Sequence, residues 1–298
     1  MAFDIEIYLS SRKKLIDRKL SELILATNKS MSRLEESMRY SILAGGKRLR
    51  PILCLAAGES VGGTIEEILP TSCAIEMIHT YSLVHDDLPS MDDDSLRRGI
   101  PTNHSVFGEA VAILAGDALL TDAFLIIANE GIIRGLSPSL LVEVIRDISN
   151  AAGSRGMVMG QALDLALEGR EEVTLDLIEE VHSLKTGALI QASVTSGARI
   201  GGATDSQLSQ LSQYARFLGL SFQIIDDVLD IEGGSEIGKV AGADARRKKV
   251  TYPILVGIEN AKETAQKLTE EAIFALTNFD ENAEPLRQLA YYMGARTY

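Results

Sequence analysis

Asp86-Asp87-Leu88-Pro89-Ser90-Met91-Asp92-Asp93-Asp94, followed at once by Arg97-Arg98-Gly99, is the stretch on which the reading of this chain turns. Five carboxylates fall within nine residues. They repel one another unless solvent or a cation separates them. Pro89 cannot continue a helix, because its ring clashes with the preceding turn. Upstream, from Ile65 through Met77, Ile78, Leu83 and Val84, the pattern is that of a long apolar helix. The acids therefore fall at a helix C-terminus, where the dipole disfavours negative charge. A cluster set against its own helix dipole calls for an external cation.

Far downstream, Asp226-Asp227-Val228-Leu229-Asp230 repeats the idea. These acids stand at i, i+1 and i+4, so Asp226 and Asp230 share a helix face. A lone acidic run is most often a solvated face. Here Phe222, Ile224, Ile225, Val228, Leu229 and Ile231 surround the triplet, which puts the carboxylates beside buried surface, where charges must be paired or bind metal. Oxygen donors without nearby Cys or clustered His favour a hard cation such as Mg²⁺.

The whole chain sets the bounds. It has 298 residues, 46% hydrophobic and 24% charged, an ordinary soluble globular balance. No apolar run reaches the roughly 18 residues of a membrane span, since Asp117 interrupts the best candidate, Ala110 to Ala128. The N-terminus lacks the basic start and apolar core of a signal peptide, and Cys54 and Cys73 sit among apolar neighbours as reduced core residues. A cytoplasmic location is expected. A formal net charge of −13 with no basic arm argues against nucleic acid. The basic residues are nonetheless bunched, at 47–50, 97–98 and 246–249, which suggests a phosphate held both directly and through metal.

In chain order, nearly every segment reads as helix, and one all-helical domain over 1–298 is the economical reading. Residues 4–27 are amphipathic. Ser32 and Glu35 form a capping box for a second helix that Gly45-Gly46 ends. Lys47 to Arg50 before Pro51 make either an exposed basic turn or an anion site at a helix start. His79 lies seven residues before Asp86, near its face; a lone His on an apolar helix is more often a core residue. Tyr81 and Ser82 lie one turn below Asp86. Asn103 to Glu130 reads as one helix broken by Gly131, with Ser137-Pro138 opening the next. Gln161 and Asp164 put polar groups on an otherwise small and apolar face. Lys185-Thr186 either snorkels at a rim or reaches a ligand. Thr204 and Gln207 form another capping box. The segment from Ser235 to Val250 reads as a flap, and Thr251-Tyr252-Pro253 restarts the helix.

Taken together these residues resemble the trans-isoprenyl diphosphate synthases, most closely the bacterial short-chain farnesyl diphosphate synthases. The motifs run in the family's order from Gly45 to Pro253: Gly45-Gly46-Lys47-Arg48-Leu49-Arg50-Pro51, the Asp86–Asp92 run in its form with two extra residues, Arg97-Arg98-Gly99, Pro101-Thr102-Asn103-His104, Lys185-Thr186-Gly187, and Phe222-Gln223 through Asp230. The resemblance implies an all-α, single-domain bundle around a deep central cavity, working as a homodimer. It implies that Asp86, Asp92 and Asp226 ligate Mg²⁺ with Asp87, Asp227 and Asp230 in support (three ions with diphosphate bound, Mn²⁺ as the alternative). Arg97, Lys185 and Lys239 would hold the allylic diphosphate, and Lys47, Arg50, His79 and Arg98 isopentenyl diphosphate. Thr186 and Gln223 oxygens would steady an allylic cation.

In this family the residues four and five before the first Asp form the cavity floor. Here they are Ser82 and Tyr81, and Tyr81 fits a fifteen-carbon product, farnesyl diphosphate. Simple helix geometry puts Ser82 more nearly beneath Asp86, so the weight on Tyr81 comes from the resemblance. The alternatives are a geranylgeranyl diphosphate synthase, a terpene cyclase, and a non-catalytic prenyl synthase subunit. The second Asp triplet argues against the last two.

Overall fold

Local chemistry sets the helix ends. Asp4 caps the first helix by accepting from the Ile7 N–H at 3.0 Å. Both expected capping boxes form: Ser32 N–H reaches Glu35 at 2.7 Å and Thr204 N–H reaches Gln207 at 2.9 Å, each satisfying helix-start donors that would otherwise be orphaned. The computed structural model describes residues 3–24, 32–170, 172–233 and 249–294. Its helices are α1 (Ile5–Leu23), α2 (Arg33–Leu43), α3 (Leu49–Glu59), α4 (Ile65–Asp86), α5 (Asn103–Phe107), α6 (Glu109–Ile133), α7 (Pro138–Ala152), α8 (Met157–Leu167) and α9 (Leu175–His182). After a π-helical turn (Ser183–Gly187) come α10 (Ala188–Ile200), α11 (Asp205–Glu232), α12 (Tyr252–Val256), α13 (Ile258–Ala275), a 3-10 turn (Glu281–Ala283) and α14 (Glu284–Gly294). The fold is all-α.

Three features differ from the sequence expectation. A short antiparallel pair, β1 (Leu96–Arg97) and β2 (Ile100–Pro101), interrupts the helices. Its turn places Arg98 at φ 54° and Gly99 at φ 79°, the left-handed geometry whose twist suits a two-residue hairpin. Gly108, at φ 85°, separates α5 from α6. Conversely, α6 runs through Gly131 to Ile133. A Cβ at Gly131 would fall 2.4 Å from Leu141 Cδ2, so this glycine allows α7 to pack closely and does not end the helix.

One continuous core joins α1 to α4, α6, α7, α10, α11 and α14. Both cysteines are fully buried within it and unpaired, as expected. At its centre α3 crosses α10 so closely that a Cβ on Gly197 would lie 1.9 Å from the Cys54 carbonyl oxygen. Backbone cannot yield as a side chain can, so Gly197→Ala is expected to destabilise the fold by about 3 kcal/mol. Chemical denaturation reads that as a lower midpoint at unchanged slope.

By length and composition alone α6 is long and apolar enough to cross a membrane, though Asp117 interrupts it as expected. It nevertheless packs on α4 and the core through Ala115, Leu119, Ala123 and Ile127 while exposing Ile113, Leu114, Leu125, Ile132 and Ile133. It is one wall of the bundle, with an apolar outer face. A second apolar cluster, with Ile178, Ile224, Ile225, Val228, Leu229 and Tyr252, ties α9, α11, α12 and α13 together and fixes the second Asp triplet.

Candidate active site

The first acidic stretch does end a helix. α4 stops at Asp86, and the chain doubles back so that the Asp92 N–H donates to the Asp86 carbonyl at 2.8 Å. Met91 and Asp93 N–H groups both reach the Leu88 carbonyl, at 2.9 and 3.1 Å. The loop thus returns Asp92 to the end of the helix that carries Asp86. From there the two acids line different spaces. Asp86 borders a largely apolar cavity of about 370 Å³, with Arg50, His79, Tyr81, Ser82, Met157 and Gln161 among its walls. Asp92 borders a polar cavity of about 230 Å³, with Asp164, His182, Gln223, Asp227 and Lys249. Lys185 and Thr186 are walls of both.

The π-helical turn explains that shared position. An i→i+5 bond inserts one residue into the helical register, which re-aims the side chains that follow. α8 crosses the turn tightly enough that a Cβ on Gly160 would meet the Lys185 backbone nitrogen at 2.2 Å. Lys185 Nζ is 2.5 Å from Asp164 Oδ2, and Lys249 Nζ reaches the same oxygen at 2.7 Å. Burial alone would raise the Asp164 pKa, but the two ammonium groups override it and hold the carboxyl at about 2. Lys249 was not singled out from the sequence. Its one signal was membership of the basic run just before Thr251-Tyr252-Pro253.

Asp87 takes a different course from Asp86. It is buried and lines neither cavity; Arg97 Nε donates to its Oδ1 at 2.6 Å, and Arg97 also pairs with Asp94 at 3.4 Å. Asp87 was expected to support metal and Arg97 to hold the allylic diphosphate; here the two partner each other, as a buried carboxylate requires. Arg98 lines neither cavity and donates to the Gly45 carbonyl, with Glu76 at 4.0 Å. Lys47 is exposed before α3. Lys239 lies outside the described residues.

Arg50 and His79 do meet, with Arg50 Nη1 3.3 Å from His79 Nε2. Burial, then the charges of Arg50, Arg98, Arg97 and Arg48, push the His79 pKa well down, so a neutral imidazole accepts from Arg50. Tyr81 is 6% exposed, its ring edge-on to His85 at 5.7 Å. Burial and the Asp86 charge push its phenol up to about 12, so it stays neutral at the cavity wall.

On α11, Asp226 and Asp230 are half-buried on one face, whereas Asp227 is buried. Asp227 Oδ1 accepts from Gln223 Nε2 at 3.1 Å, and Oδ2 accepts from the Tyr252 N–H at 3.0 Å with His182 Nε2 at 3.2 Å. Asp227 was expected in support of metal; the structure commits both its oxygens to protein donors.

Several buried polar atoms have no partner among the described residues, and Gln161 Oε1 and Nε2, His182 Nδ1 and Thr251 Oγ1 all belong to walls of the two cavities. Such atoms cost about 1–3 kcal/mol each when left unpaired, so a polar ligand is the natural complement here. Asp86, Asp92, Asp226 and Asp230 are oxygen donors suited to a hard cation. Among the described residues no three His, Cys, Asp or Glu side chains are grouped to hold one ion. The donor set fits Mg²⁺ whose shell is completed by ligand oxygens.

An all-helical bundle in which acidic side chains and two lysines adjoin an apolar cavity suits a substrate with an anionic head and an apolar tail. The comparisons agree: the polyprenyl synthetase family model matches residues 31–290, and the chain belongs to that family of trans-prenyltransferases, which is generally Mg²⁺-dependent. It is 48% identical to a chloroplastic geranylgeranyl pyrophosphate synthase of Catharanthus roseus, over 99% of this chain and 82% of that one. It is equally 48% identical to a dimethylallyltranstransferase of Fischerella ambigua, over 99% and 85%. Among solved structures, an FPP/GFPP synthase from Zymomonas mobilis superposes with a TM-score of 0.87 at 39% identity, over 98% of this chain and 99% of the other.

Proposed function

We propose that the protein elongates allylic diphosphates with isopentenyl diphosphate to make geranylgeranyl diphosphate. The observation that carries the reaction is the junction at Lys185 and Thr186, where a polar cavity lined by both lysines and carboxylates meets an apolar one. In this reading Asp86, Asp92, Asp226 and Asp230 hold Mg²⁺, and three ions accompany the bound diphosphate. Mg²⁺ held by these carboxylates would supply charge neutralisation for the leaving diphosphate. Lys185 and Lys249, gathered by Asp164, add fixed positive charge at the same place, so the C–O bond breaks with its electron pair leaving on diphosphate. Arg50 and His79 hold isopentenyl diphosphate, whose double bond forms the new C–C bond. The proton then lost from it passes to the released diphosphate. The apolar walls keep water from the cation.

The twenty-carbon reading rests on the relatives named as geranylgeranyl synthases and replaces the fifteen-carbon expectation as the main one. One observation favours fifteen carbons: Tyr81 is a bulky, buried wall of the apolar cavity. Incubation with isopentenyl and dimethylallyl diphosphates, with and without Mg²⁺, decides between them. A Mg²⁺-dependent twenty-carbon product is expected; a fifteen-carbon product would restore the Tyr81 argument. In either case Tyr81→Ala is expected to lengthen the product by at least one five-carbon unit, read by chromatography of the dephosphorylated alcohols. We further propose a homodimer through the apolar outer face of α6, where Ile113, Leu114 and Leu125 are exposed. Sedimentation of the protein in solution tests it.

A further inference from the structure

We propose that Asp227 is a positioning residue that fixes the direction of the Thr186–Gln223 hydrogen bond, and through it the face that the Thr186 hydroxyl presents to the reacting carbons. The inference rests on the prenyl-transfer reading above. An ionised carboxylate can only accept. Asp227, 6% exposed, is surrounded by the Tyr252 N–H at 3.0 Å, His182 Nε2 at 3.2 Å and Gln223 Nε2 at 3.1 Å. Each must therefore donate. For Gln223 this leaves no choice of amide orientation: its NH₂ faces Asp227 and its carbonyl Oε1 faces Thr186. A carbonyl oxygen cannot donate, so the Thr186 hydroxyl gives its proton to Gln223, at 2.8 Å.

The consequence reaches the chemistry. With its proton committed to Gln223, Thr186 has only lone pairs to offer the cavities it borders. Lone pairs stabilise a developing carbocation; an O–H dipole pointed the other way would oppose it. The elements that build this polarity come from the end of α9, the π-helical turn, α11 and α12, and they are locked by Asp227 at their centre. The stacking of His182 on the Tyr252 ring, centroids 6.4 Å apart, keeps both donors in place.

Asp227→Asn tests the polarity with little change of shape. The new NH₂ cannot face three donors without opposing at least one. Turned toward Gln223 it flips that amide, which then donates to Thr186 and turns the hydroxyl proton toward the cavity. The expected result is a kcat lowered about a hundredfold, the loss typical of one misaligned electrostatic donor or acceptor. KM for both diphosphates and the Mg²⁺ concentration for half-maximal rate stay within about twofold. Calorimetric binding of inorganic pyrophosphate with Mg²⁺ is unchanged. A raised Mg²⁺ requirement or weakened pyrophosphate binding would instead make Asp227 a metal ligand and overturn the proposal. So would an unchanged kcat. Thr186→Ser, which keeps the hydroxyl, should retain most activity, and Thr186→Val should lose about as much as Asp227→Asn. Equal losses in the Ser and Val variants would remove the role given to the hydroxyl. A folded wild-type protein that forms no condensation product at all would remove the reaction and this role together.

Discussion

Replacing Asp86 or Asp226 by alanine is expected to lower kcat about a thousandfold while leaving the fold standing. Asp86 is the last residue of α4, and its side chain borders the cavity that holds Arg50 and His79. Negative charge at a helix C-terminus is unfavourable by a few tenths of a kcal/mol to about 1 kcal/mol, so truncation there costs the fold nothing through the dipole. In the proposed reading it removes an oxygen donor to the Mg²⁺ that would neutralise the departing diphosphate, and a positioned electrostatic partner is worth about 10²–10³ in rate. Asp226 is half-buried near the C-terminal end of α11 and its loss opens no large cavity. Product formation and thermal melting of the same preparations check both halves of the statement. Near-normal turnover in both variants would sink the metal assignment.

Arg48→Met is expected to do the reverse, removing stability and sparing the site. Although Arg48 stands in the basic motif between Lys47 and Arg50, its side chain is 0% exposed and borders neither cavity. It donates to Glu76 Oε1 at 2.6 Å, to Asp17 Oδ1 at 2.8 Å and to the Ile42 carbonyl, tying α1, α2, α3 and α4 together. Glu76 is 2% exposed on its side chain. Removing one member of such a group strands the other charge, a loss of about 3–5 kcal/mol. Urea titration should show it as a large fall in midpoint. The double variant Arg48→Met/Glu76→Met should recover much of that fall, because no buried charge is then left alone.

The same cluster sets a pH limit. Burial works against the charge on Asp17, but Lys13 and Arg48 override it and hold its carboxyl below the usual range. A depressed carboxylate contributes stability above its unfolded pKa, near 4, and loses it as pH falls through the lower folded value. Acid should therefore loosen α1 from α2 and α3 in that window.

Much of this molecule was legible because its causes are local. The capping boxes at Ser32 and Thr204, the proline start at Pro138 and the halt of α4 before Pro89 depend on residues within a turn of one another. Periodicity sufficed for an all-α chain, and the two aspartate triplets with their basic companions sufficed for the family. Gly131 was misread for the opposite reason. Whether a glycine ends a helix or admits a neighbour depends on Leu141 of the next helix, which no local pattern reveals.

Tertiary structure alone decided how the charges were divided. Sequence spacing treats Asp86 and Asp87, or Asp226 and Asp227, as near equivalents. A helix advances about 100° per residue, so neighbours point apart, and what each then meets comes from elsewhere in the chain. Asp87 meets Arg97 across the loop, Asp227 meets Tyr252 from 25 residues on, and Asp164 gathers Lys185 and Lys249 from 21 and 85 residues away. The sequence thus determined the fold and the kinds of group at the site. Only packing determined which protein donors Asp87, Asp164 and Asp227 meet, because a buried charge is settled by whatever donor the fold brings to it.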